Sequence, residues 1–236
     1  SEDGKYNYNS KVTIEATTND GYTFLGIFDK DGKKLNEDGK LFYVTTLGTA
    51  AESYTAKWIK VTLDKNISEA GSISSLDGKY LVGDEVTVTA ETNAGYTFVG
   101  WYNGETELTK ELSYTFEMPT EAVTYIAKFD VVLEMKNFNF TSTATTCTIS
   151  KLKDKTVTEI VVPDYVTEIA FGAFSGCSSL ESITLPFVGI GIGGSSTNFG
   201  YIFGAGNCHY NYKYVPASLK VVITGGETIG NEAFYK

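Results

Sequence analysis

The groups in this chain that could do chemistry are few and scattered. Gly189-Ile190-Gly191-Ile192-Gly193-Gly194 spells G-x-G-x-x-G after a strand-like run, the form of a loop that cradles a dinucleotide pyrophosphate. Such a loop needs a helix whose N-terminus faces the phosphate, and the following Ser195-Ser196-Thr197-Asn198 carries no helical pattern, so no cofactor is expected. Asp29-Lys30-Asp31-Gly32 opens like a calcium loop but lacks the third ligand and a correctly placed terminal Glu, and it coincides with a hairpin turn. His209 is the only histidine and follows Cys208; on a strand the two would point to opposite faces, so no local Cys-His pair is expected. Cys147, Cys177 and Cys208 are odd in number and widely spaced, which fits neither a disulfide framework nor a zinc site. A carboxylate pair for glycoside hydrolysis would need a deep cleft, which short repeats do not provide. No catalytic, cofactor-binding or metal-ligating residue is therefore expected, and the chain reads as a binder, not an enzyme.

The elements that would position any site are repeated ones. Asp77 to Tyr102, DGKYLVGDEVTVTAETNAGYTFVGWY, recurs as Asp3 to Phe28, DGKYNYNSKVTIEATTNDGYTFLGIF, without a gap and with about half the positions identical. Val12, Ile14 and Ala16 alternate with polar residues, as do Val86, Val88 and Ala90, the period of a half-buried strand. Asn19-Asp20-Gly21 and Asn93-Ala94-Gly95 then signal turns into the aromatic strands Tyr22 to Phe28 and Tyr96 to Tyr102, which predicts a β-hairpin in both copies. Asn103-Gly104 supplies a second tight turn, with Asp31-Gly32 nearby in the first copy. Each unit closes with an aromatic strand, Tyr54 to Trp58 or Tyr125 to Phe129. The second unit also has an opening strand pair, Ile59 to Asp64 and Gly71 to Ser75, which the first lacks, so the first reads as incomplete and the chain as starting inside a repeat.

Composition agrees with a mainly β protein, either cytosolic or a mature or trimmed segment of a secreted one. Of 236 residues, 16 are Tyr and 14 Phe, a β-favouring bias at 42 % hydrophobic content. The net charge is -10 and every basic residue is Lys; without Arg, an acidic chain is a poor reader of nucleic acid or an anionic membrane. No apolar run approaches the roughly 18 residues of a membrane span, so no membrane insertion is expected.

GYTFVGWYNGETELTKELSYTFEMPTEAVTYIAKF resembles the internalin-B-type B repeat in its divergent form, found in surface proteins of Gram-positive and gut bacteria. The likeness covers residues 59–130 well and 1–58 more loosely, with Ile27 in the place of Trp101 and no YTFxMP element. The resemblance implies small β-grasp-like modules serving as stalk or spacer. Beyond Asp130, Thr156 to Val162, Leu180 to Leu185 and Leu219 to Thr224 are short strands associated with two Ala-Phe elements, Ile169 to Phe174 and Ile229 to Phe234, a solenoid grammar. VTEIAFGAFSGCSSLESITLP resembles the BspA-like leucine-rich repeat, with Val166, Ile169, Ala173, Phe174, Cys177, Leu180, Ile183, Leu185 and Pro186 in its places. That array is expected over residues 131–236 and to be cut at its C-terminal end; residues 187–218, rich in Gly and aromatics, form an insertion that either packs or binds.

The fold class read from the sequence is thus mainly β: two small repeat modules, 1–58 and 59–130, then a leucine-rich-repeat solenoid with short helical turns. Function follows as non-enzymatic recognition or adhesion at a bacterial surface or after secretion, with a surface protein or a glycan as partner. The alternative is a carbohydrate-binding or enzyme-accessory module using Tyr and Trp. Outward positions of the solenoid strands are read as Glu159 and Val161, Ser182 and Thr184, then Val221 and Ile223, joined by Tyr210 and Tyr212 of the insertion.

Overall fold

The computed structural model describes residues 6–37, 39–50, 52–191, 198–225 and 233–234. The chain divides into two compact units that cut across the repeats. One comprises Ser1–Asn66, Ile73–Ala90 and Gly100–Lys128, the other Ile67–Ser72, Glu91–Val99 and Phe129–Lys236.

The first repeat supplies strands β1 (Lys11–Glu15), β2 (Tyr22–Phe28), β3 (Phe42–Thr46) and β4 (Thr55–Lys65). The second supplies β5 (Gly71–Ile73), β6 (Tyr80–Leu81), β7 (Glu85–Thr92), β8 (Tyr96–Asn103), β9 (Thr106–Thr109), β10 (Ser113–Glu117) and β11 (Val123–Val131). Sequence alternation becomes burial alternation in β1 and β7, as half-buried surface requires. The expected hairpins do not form. β1 pairs with β3 and β2 with β4, so Asn19-Asp20-Gly21 arches the chain from one sheet to another. The second copy repeats this, with β7 paired to β10 and β8 hydrogen-bonded between β11 and β9. A turn signal fixes where the chain reverses, not which strand each arm bonds to, and here the arms separate because each finds a longer-range partner.

Backbone geometry confirms the repetition at fine grain. Lys11↔Thr46 and Glu15↔Phe42 correspond to Glu85↔Glu117 and Thr89↔Ser113, the same register at matching sequence positions. Gly26 and Gly100 share φ values of 150° and 155°, a conformation that side chains resist, and each sits at a strand irregularity beside the buried Ile27 or Trp101. Asn103-Gly104 does close a hairpin, between β8 and β9. No helix lies among the described residues before Leu133, so the β-grasp-like module implied by the resemblance is replaced by an all-strand one.

β4 departs most from the sequence reading. Thr55 to Trp58 and Ile59 to Asp64 are not two strands but parts of one. Its first half pairs antiparallel with β2, as in Phe24↔Trp58, and its second half pairs parallel with β11, from Val61↔Val123 to Lys65↔Ala127. One sheet therefore runs β6-β2-β4-β11-β8-β9 through both repeats. The opening pair fails for the same reason, since β5 bonds to β7 and not to β4.

The other unit is built around β12 (Phe138–Ser142), β13 (Cys147–Leu152), β14 (Glu159–Val161), β15 (Glu168–Ile169), β16 (Ser182–Leu185) and β17 (Lys220–Ile223). They form two three-stranded sheets, β12-β13-β15 and β14-β16-β17. β14, β16 and β17 are parallel and in step: Ile160↔Ile183↔Val221. Beneath them Val166, Ile169, Ala173, Phe174, Cys177, Leu180, Ile183 and Leu185 share one buried core. The arch turn of the second repeat belongs to this same unit. Tyr96 packs 5.2 Å from the Phe140 ring, Val132 N–H donates to Gly95 O at 3.0 Å, and Ala94 lies against the core.

Candidate recognition surface

The parallel ladder decides which side chains reach solvent. In β14, Ile160 is buried and its neighbours Glu159 and Val161 are exposed, Val161 by 53 %. In β16, Ile183 and Leu185 are buried and Ser182 and Thr184 half-buried between them. All four alternate with the buried positions of their strands. β17 departs from the sequence reading: Val221 aligns with Ile183 and Ile223 with Leu185, and both pack on the core, so neither is outward. Lys220 and Val222 take the outer places, Val222 at 43 % exposure. Because side chains alternate with period two, phasing a strand one residue out inverts its faces. The run Leu219 to Thr224 invited that error, since the three consecutive apolar residues Val221, Val222 and Ile223 give alternation no contrast. The outer surface consequently has two columns, Glu159–Ser182–Lys220 and Val161–Thr184–Val222.

The insertion after Pro186 is largely architecture. Phe187, Phe199, Ile202, Phe203 and Ala205 are fully buried, and a short 3-10 helix Phe199–Phe203 is capped by the Asn198 side chain, which accepts from Gly200 N–H at 3.1 Å. Its tail behaves differently. Tyr210, Tyr212 and Tyr214 remain exposed around the helical turn Asn211–Tyr214, and the Lys213 ammonium lies 5.4 Å and 5.7 Å from the Tyr210 and Tyr212 rings. Tyr212 also borders a cavity of about 210 Å³ whose walls include Phe199, Val215, Leu219, Val221 and Phe234. Ile192 to Gly194 of the glycine-rich run, and Ile229 to Glu232 of the second Ala-Phe element, lie outside the described residues. Of the described part, Ala233 is buried while Phe234 is exposed.

The chemical candidates resolve individually. Asp29 Oδ1 accepts from Asp31 N–H and Lys33 N–H, both at 2.9 Å, and is spent on stabilising its turn. Cys208 and His209 do meet, Sγ to Nδ1 at 3.4 Å, against the strand-based expectation. The segment Cys208–Tyr210 is a 3-10 helix whose N-cap Asn207 accepts from His209 N–H, and adjacent side chains on such a turn are not forced to opposite faces. Among the described residues no group of three or more His, Cys, Asp or Glu side chains could hold a metal ion, and no helix is long and apolar enough to cross a membrane. Burial pushes the Cys147 thiol up to about 11 and raises Cys177, so both stay protonated and closed to reagents at pH 8. Ellman's reagent at that pH should label Cys208, the one partly exposed thiol, and reach the other two only in denaturant. Three thiols reacting together without denaturant would contradict this burial.

Two further features bear on binding. Trp101 is fully buried and its Nε1–H donates to Leu112 O at 3.1 Å, so it is closed to a sugar ring. In the first repeat Phe42 and Val44 lie exposed on one face of β3, where the second repeat has Ser113 and Thr115. Aligning the copies strand by strand would have revealed this polarity difference, but their similarity fades before β3.

The family profile described as divergent InlB B-repeat domain matches residues 1–62 and 61–133. Neither the curated proteins nor the solved structures contain a significant match.

Proposed function

The chain belongs to the divergent InlB B-repeat domain family, whose repeats are found in bacterial surface proteins, and from that premise we propose a non-enzymatic recognition or adhesion protein acting outside the cell. In this reading the two repeats act as a spacer. Residues 131–236 form an array of the BspA-like leucine-rich kind, and its outer strand face meets a surface protein. The observation that carries the reading is the in-step parallel ladder Ile160↔Ile183↔Val221, which buries one column and leaves Val161, Thr184 and Val222 aligned on the other side. Alignment of one side chain per turn is how a solenoid builds a continuous binding face. Exposed valines on such a face cost nothing to desolvate and gain on contact.

The test separates face from insertion. Val161→Ser with Val222→Ser alters the ladder face, and Tyr210→Ala with Tyr212→Ala alters the insertion; each pair is checked by thermal melt and then against protein and glycan arrays. Binding to proteins that is lost by about tenfold or more in the valine pair alone, with an unchanged melt, supports the reading. Glycan binding lost only in the tyrosine pair would replace it with a carbohydrate-binding module.

A further inference from the structure

The outer face of β1 and β3 differs in chemistry from its counterpart in the second repeat. Lys11, Thr13 and Glu15 stand opposite Thr46, Val44 and Phe42, and all six side chains are exposed. Glu85, Thr87 and Thr89, opposite Glu117, Thr115 and Ser113, fill the same places in the second repeat. That face is exposed too, although β5 flanks β7 there, so exposure comes with the module whether or not a further strand lies beside it. The second face is suited to water, and its Thr87 and Thr115 hydroxyls share a hydrogen bond of 2.8 Å. On the first, Thr13 faces Val44, and Phe42 and Val44 are 45 % and 44 % exposed. Neighbouring exposed apolar side chains on one sheet face mark a contact.

The charges decide what the contact is with. Lys11 and Glu15 each lie two residues from Thr13, on opposite sides of it. A second copy laid face to face, about a two-fold axis that crosses the strands at the Thr13↔Val44 pair, sets β1 antiparallel on β1. Lys11 of each copy then meets Glu15 of the other, Val44 meets Val44, and Phe42 covers Thr46. The alternative two-fold, with its axis along the strands, presses the Glu15 carboxylate onto the Phe42 ring with no cation opposite, which desolvation disfavours. The same stack on the second repeat would set Glu85 against Thr89 and Glu117 against Ser113, and no cation answers either carboxylate.

We propose that the outer face of β1 and β3 is a self-association surface, on which a second copy of this chain packs about a two-fold axis with Lys11 and Glu15 paired between copies. This surface lies in the first repeat and is independent of the ladder face β14-β16-β17. Six side chains from each copy fall well short of the roughly 20–30 residues a side of a stable interface, so the dimer is weak, with a Kd on the order of 100 µM.

Sedimentation velocity of the full chain from about 10 µM to about 1 mM tests it, and the parent should shift toward dimer over that range. Lys11→Glu and Glu15→Lys should each weaken association by about tenfold or more, because like charges then meet across the axis. An equimolar mixture of these two variants should associate as the parent does, since the acidic pair of one meets the basic pair of the other. Phe42→Ser with Val44→Thr should leave a monomer throughout. Thermal melts should not move in any of these variants, all of which alter exposed positions. The proposal is overturned if the parent stays monomeric to about 1 mM, if Phe42→Ser with Val44→Thr dimerises as the parent does, or if the mixture associates no better than either charge variant alone.

Discussion

Phe174→Ala should cost about 3–5 kcal/mol of stability, and Leu185→Ala about 2–5 kcal/mol. Both side chains are fully buried in the core beneath β14, β16 and β17. The Phe174 ring lies 6.2 Å from Phe138 and 6.1 Å from Phe203, so it joins the wall of β12 to the insertion across the middle of the core. Its backbone is fixed as well, with N–H donating to Ile202 O at 2.8 Å. Truncation therefore leaves an apolar void whose rim is held by three separate chain segments and cannot collapse cheaply, placing the cost at the upper end for an aromatic deletion. Phe171→Ala is the internal control, because Phe171 is largely exposed three residues earlier in the same element. A loss of unfolding free energy, from denaturant melts, of less than about 1 kcal/mol in Phe174→Ala would mean that the Ala-Phe element does not anchor this core.

That core was legible in the sequence because its signal is local. Val166, Ile169, Ala173, Phe174, Cys177, Leu180, Ile183 and Leu185 recur at spacings that already define a face, and each is buried. Duplicated residues were equally legible, down to Ile27 standing in the fully buried place of Trp101. Strand pairing was not. Lys11 to Ala16 and Tyr22 to Phe28 carry the pattern of strands joined by a turn whether they bond to each other or, as here, to β3 and β4. The continuity of β4 was hidden because sequence similarity ends a repeat at Trp58, whereas hydrogen bonding carries the strand on to Lys65. At the candidate site the phase of β14 and β16 could be read, since Glu159, Ser182 and Thr184 mark the polar side. The phase of β17 could not, because Lys220 is its only polar residue. Cys208 and His209 were misjudged for a related reason: the Tyr-rich composition around them favours strand locally, and the Asn207 cap that starts a helical turn outweighs it.

The continuity of β4 leads to the second large effect. Trp101→Ala should cost about 3–5 kcal/mol, since it empties a fully buried site and leaves Leu112 O without its indole donor. Modules strung on a linker would confine that loss to the second repeat. Here the first repeat is bound to the second through one backbone, with Phe24↔Trp58 on the first half of β4 and Val61↔Val123 on the second. β2 also pairs with β6 at Thr23↔Tyr80, Gly21 N–H donates to Gly78 O at 3.0 Å, and the buried Thr23 hydroxyl donates to Met118 Sδ at 3.3 Å. Unfolding the second repeat would strip all of these from the first, so the two should melt together. Trp101→Ala leaves Trp58 as the only tryptophan, and its fluorescence reports the first repeat without interference. Trp101→Phe, which keeps most of the buried volume, supplies the reference midpoint for Trp58. The Trp58 transition in Trp101→Ala should fall to a lower denaturant concentration and coincide with loss of the far-ultraviolet strand signal from both repeats. If Trp58 instead reports its reference midpoint while part of the strand signal disappears earlier, β4 is a covalent bridge between independently folding repeats and the shared sheet contributes little to their coupling.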